Sequence, residues 1–101
     1  MRAKNSLAYY LAETDDVAYE KMARQYVSEA GKLRQTSAVL DTEGYVKITY
    51  GKTRQEILDG VGVCEHARRM GAPFEAYAKN INKANKRLEQ LQQVVPPDAV
   101  Q

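Results

Sequence analysis

The chain has 101 residues, of which 44% are hydrophobic and 28% charged, and its 15 Lys and Arg against 13 Asp and Glu leave a formal net charge of +2. This balance excludes a wholly disordered chain and a binder driven by total positive charge, and the length suits one domain, expected over residues 1–95 with 96–101 as a frayed tail. No stretch approaches the roughly 20 apolar residues of a membrane span, no signal-length apolar run follows Arg2 and Lys4, and the lone Cys64 cannot pair internally, so a cytoplasmic protein away from membranes is expected.

Taken in chain order, residues 1–4 read as loose. Asn5 or Ser6 is placed to cap a short helix carrying Leu7, Ala8, Tyr10 and Leu11. Thr14 or Asp15 can cap a second helix running to about Arg34, with Tyr19, Met22, Ala23, Tyr26, Ala30 and Leu33 on its apolar face. No Gly or Pro separates the two, so one continuous helix fits this stretch equally well.

Between residues 36 and 50 the pattern becomes alternating. Asp41 can accept from the backbone two residues on, and Gly44 can take the positive φ of a turn followed by a bulge. This predicts a β-hairpin over about 37–50, with Leu40 opposite Val46 and Ala38 opposite Ile48 on one face.

Thr53 and Glu56 form a capping box ahead of Ile57 and Leu58, which starts a third helix. Gly60 and Gly62 predict a kink near Val61. Gly60, Cys64, Ala67 and Gly71 share a face of small residues, suited to close approach by the helix that follows. Gly71 then reads as a C-terminal cap, and Pro73 opens a final helix that stops before Pro96 and Pro97. The expected fold class is therefore α+β and mainly helical: an N-terminal helix or helix pair, one hairpin, then two helices of which the last is long and amphipathic.

That last helix carries the functional reading. Phe74, Tyr77, Ile81, Ala84, Leu88, Leu91 and Val95 step by three and four, the period of a helix seam. A stripe this long exceeds what a small domain covers readily. Phe74, Tyr77, Ile81, Leu88, Leu91 and Val95 are accordingly the expected protein interface of a non-enzymatic regulatory or binding protein, a homodimer or the binder of a protein partner. The alternative is a DNA- or RNA-binding accessory protein. Arg68, Arg69, Lys79, Lys83, Lys86 and Arg87 form a basic run with a single Glu75 among them, and Asn80, Asn82 and Asn85 beside them suit contacts to phosphates and base edges.

A catalytic, metal or cofactor site is not expected, nor is a small-molecule substrate. Cys64 and His66 lie two positions apart on a helix and so diverge, Glu65 between them completes no ligand set, and zinc would need four ligands. A helix-turn-helix tried on residues 63–82 fits at Ala67 and Gly71 but fails at Pro73 and Ile81. Among the seven tyrosines, Tyr9 and Tyr45 fall off the apolar faces and are expected as exposed contacts.

Overall fold

The computed structural model describes residues 2–93, and every regular element among them is helical. Five α-helices, α1 (Arg2–Glu13), α2 (Glu20–Leu33), α3 (Ser37–Tyr50), α4 (Arg54–Arg69) and α5 (Phe74–Gln93), are joined by short connections, one holding a single 3-10 turn at Val17–Tyr19. No helix among the described residues is long and apolar enough to cross a membrane.

The hairpin expected over residues 37–50 is instead α3, so the fold is all-α and not α+β. Thr36 caps α3 by accepting from the Val39 N–H at 3.1 Å. Ten of its fourteen residues are buried, and it packs against each of the other four helices. A helix covered on every side needs no polar stripe, so its periodicity no longer distinguishes it from a strand. The β-branched Val39, Thr42, Val46, Ile48 and Thr49 lean towards strand, by at most about 0.7 kcal/mol each. Burying one such side chain returns about 1.5–3 kcal/mol, and tertiary packing decides the outcome.

The N-terminal region forms two helices. α1 starts at Arg2, ahead of the caps expected at Asn5 or Ser6, so residues 2–4 are helical and not loose. Asp15 turns the chain out of α1 with φ +58°, a left-handed conformation that Asp tolerates, and Asp16 then caps the 3-10 turn by accepting from the Ala18 N–H at 2.9 Å. α2 itself follows Tyr19, which makes no side-chain cap, so neither Thr14 nor Asp15 caps it. On α2 the buried residues are Ala23, Val27 and Ala30, while Met22 and Leu33 are exposed.

α4 is unbroken through Gly60 and Gly62, with no kink at Val61. Its small-residue face meets α3 first, because Gly60 sits against Gly44. The capping hydroxyl is Thr53, accepting from the Glu56 N–H at 3.1 Å, and Glu56 reaches back to the Lys52 N–H at 3.0 Å. At the other end Gly71, with φ +111°, lets the Ala72 N–H bond to the Ala67 carbonyl and its own N–H to the Arg68 carbonyl, which closes α4 in a Schellman motif.

The core has three apolar clusters, and α3 supplies residues to each: Tyr45, Val46 and Tyr50 towards α1 and α2, Ile48 towards Ile57, Cys64 and Ala84, and Leu40 towards Ala67 and Ala72. α5 follows the expected stretch as one continuous helix from Phe74 to Gln93. Val95, Pro96, Pro97 and the tail 96–101 lie outside the described residues.

Candidate functional site

α5 presents two faces to the rest of the molecule. On its apolar face Ala84 is fully buried against Ile48, Ile57 and Cys64, and Tyr77, Leu88 and Leu91 pack half-buried on the same cluster, together with Val61 from α4. Ile81 is also half-buried. Phe74 opens the helix 62% exposed; its ring lies 6.3 Å from that of Tyr77, and the Arg68 guanidinium stands 5.8 Å from its centroid. The residues predicted as an interface therefore divide: Tyr77, Leu88 and Leu91 lean on the core, Phe74 stands clear of it, and Val95 is outside the described residues.

The basic face is largely engaged with the rest of the chain. Lys79 pairs with Glu13 at 2.5 Å and lies 5.0 Å from the Tyr9 ring centroid; the bond to Glu13 holds its ammonium well above the ordinary lysine range. Lys83 reaches Asp15 at 2.6 Å, donates to the Tyr45 hydroxyl at 3.2 Å and to the Ala12 carbonyl at 3.3 Å, and sits 4.4 Å from the Tyr45 ring centroid. Arg87 donates to the carbonyls of Thr49 at 3.4 Å and Gly51 at 2.5 Å, at the C-terminal end of α3. Arg68, in the last turn of α4, donates to the Ala72 carbonyl at 3.1 Å. Of the six predicted basic residues, Arg69 and Lys86 are exposed and make no hydrogen bond or ion pair among the described residues.

Two residues read as surface groups, Asn80 and Tyr45, are buried. Asn80 is fully buried and not beside the basic surface: its amide donates to Asp41 at 2.8 Å and to the Cys64 sulfur at 3.5 Å, so α3, α4 and α5 meet at one polar point. Burial raises the Asp41 carboxyl above its usual range, against the opposing hydrogen bond from Asn80. The Cys64 thiol is pushed up to about 12, mainly by burial, while His66 two positions on is exposed. Tyr45 is buried and stacks on half-buried Tyr9, with centroids 4.6 Å apart and planes 20° apart, so neither is the exposed contact expected. Both hydroxyls are raised in pKa, first by desolvation.

Between the basic face of α5 and the connection from α1 to α2 runs a groove of about 1080 Å³. Phe74 and Gln90 mark its extent along α5, which at 1.5 Å per residue is about 24 Å. Tyr45, Thr49 and Tyr50 come from α3, and Asp15, Val17, Glu20 and Lys52 face α5 from the other side. The sequence pattern marks the apolar stripe and the basic run of α5 but not this opposite wall. Read as helical, residues 45, 49 and 50 would have shown it, since Tyr45 and Thr49 lie one turn apart.

No protein-family description, curated protein or solved structure matches this chain.

Proposed function

We propose that the chain is a non-enzymatic binding or regulatory protein that acts by protein association through α5, with a second copy of itself as the occupant. The observation that carries this reading is the position of Leu88 and Leu91. They are anchored on the cluster around Ile48 and Ile57 yet only half covered, with Val61 likewise half covered on α4 and Leu58 exposed one turn before it. An apolar ridge rigidly held by the core is the kind of surface that a two-fold contact buries at low entropic cost. The positions flanking the stripe, including Ala78, Asn85, Arg87 and Gln92, offer no complementary charge pairs for a parallel zipper, so the copies pack antiparallel. The location of Cys64 and His66 also favours a non-enzymatic role, since a buried neutral thiol and an exposed imidazole on diverging faces make no nucleophile and base pair.

Sedimentation equilibrium across micromolar concentrations tests the reading. A concentration-dependent dimer is expected, and Leu58→Glu, at the exposed edge of the ridge, returns a monomer of unchanged helix content. A wild-type chain that stays monomeric at high micromolar concentration would overturn self-association.

A further inference from the structure

The groove beside α5 has a charge imbalance that its internal pairs do not remove. Five cations line it, Lys52, Lys79, Lys83, Lys86 and Arg87, against three carboxylates, Asp15, Glu20 and Glu75. Lys83 is neutralised by Asp15 within the groove and Lys79 by Glu13. Glu20 is held by Arg24 at 3.0 Å, an arginine shared with Glu56 at 3.3 Å, and lies 3.9 Å from Lys52. Lys86 has no partner among the described residues.

Arg87 is held at the partly negative end of α3, but no carboxylate pairs with it among the described residues. Its two bonds go to the neutral carbonyls of Thr49 and Gly51 and use two of its five N–H donors, so three remain for another acceptor. Lys52, which follows Gly51, and Lys86, which precedes Arg87, line the groove together with Arg87. The surplus of positive charge therefore collects at this end of the groove. Thr49, only 7% exposed, lines the same end, with its hydroxyl buried and without a partner among the described residues.

Part of the remaining lining is apolar. Val17 is 72% exposed, and with Phe74 it is among the most exposed large hydrophobic residues described; both line this groove. Tyr45, Tyr50 and Ala78 continue the apolar surface between them. Clefts with apolar lining and a few convergent polar groups are characteristic of small-ligand sites.

We propose that the groove binds a small organic anion, a phosphate or carboxylate on an apolar body, with the charged end held by Lys52, Lys86 and Arg87 and the body against Tyr50 and Val17. Charge-assisted bonds from an already positioned guanidinium orient the anion, and the apolar wall supplies affinity that a bare inorganic ion cannot obtain. The site uses the face of α5 opposite the association ridge and does not depend on self-association.

Titrations of the full chain followed by amide-resolved NMR test it, with phenyl phosphate, benzoate, inorganic phosphate and benzyl alcohol as probes. Phenyl phosphate or benzoate is expected to saturate in the millimolar range or below, with shifts concentrated at Thr49, Lys52, Lys86 and Arg87; the tighter of the two identifies the preferred head group. Inorganic phosphate should bind about tenfold more weakly, and benzyl alcohol should not saturate. Lys86→Glu, an exposed change that leaves the fold intact, should weaken the tighter probe by about tenfold, whereas Arg69→Glu should not. Shifts that rise linearly without saturation, that spread over basic residues outside the groove, or that are equally strong with inorganic phosphate would overturn the proposal.

Discussion

Gly44 of α3 and Gly60 of α4 meet backbone to backbone. A Cβ on Gly44 would lie 2.8 Å from the Gly60 carbonyl oxygen and against the Cys64 sulfur, and one on Gly60 would lie 2.9 Å from the Gly44 carbonyl oxygen. Neither neighbour is the end of a flexible side chain, so a methyl group at either position forces the two helices apart. Gly44→Ala and Gly60→Ala should each destabilise the fold by about 1–3 kcal/mol in urea denaturation. Gly62, on the same helix with nothing near its missing Cβ, is the control: Gly62→Ala should stabilise by about 0.5–1 kcal/mol through helix propensity alone. Equal effects at all three positions would exclude the close crossing.

The buried Asp41 and Asn80 pair gives stability a defined pH dependence. Burial raises the Asp41 carboxyl in the folded state, so the folded chain binds that proton more tightly than the unfolded one. This contribution is complete below the ordinary carboxyl value of about 3.9 and is lost as the pH rises through the raised folded-state value. Asp41→Asn replaces the acid with an amide that can pair with the Asn80 amide without ionising. The difference between wild type and Asp41→Asn in denaturant midpoint should therefore shift in favour of the variant as pH increases over that interval. Parallel curves at all pH values would mean that Asp41 is not desolvated.

Cys64 should be chemically silent while the chain is folded. Its thiol is buried and raised to about 12, so almost no thiolate exists near neutral pH, and a reagent cannot approach without opening the joint between α3, α4 and α5. Alkylation by iodoacetamide should be slow in buffer and rapid in denaturant. The native rate should increase in Gly44→Ala, where the added methyl presses directly on the sulfur. Rapid native labelling would place Cys64 at the surface.

The C-terminal half was largely readable because its signals are local. Thr53 with Glu56, Gly71 with Pro73, and the three-and-four spacing from Phe74 each specify a cap or a face within one or two turns of chain. The centre was not readable for the opposite reason. In α3, Asp41 and Gly44 resemble turn residues, but their roles are set by Asn80 and Gly60, 39 and 16 positions away in sequence. A glycine that permits a helix crossing and one that permits a turn are the same residue in sequence. The basic residues of α5 are legible in the sequence as a run. Their partners, Glu13, Asp15, Tyr45 and the end of α3, come from elements whose placement depended on α3 being a helix.

Arg87 fastens α5 to the end of α3, and its removal should be felt in stability more than its partial exposure suggests. Its two bonds satisfy carbonyls at Thr49 and Gly51 that the helix itself leaves without partners, and its charge complements the negative end of the α3 dipole. Arg87→Met keeps the apolar stem and removes both bonds, which should cost about 1–3 kcal/mol. Arg87→Lys keeps the charge but not the fork that reaches two carbonyls at once, so it should recover only part of the loss. Lys86→Met, one residue away and without a partner among the described residues, should change stability by less than about 0.5 kcal/mol. Urea midpoints of the three variants measured side by side decide the point: if Arg87→Met and Lys86→Met are equally mild, the guanidinium is not what holds the two helices together.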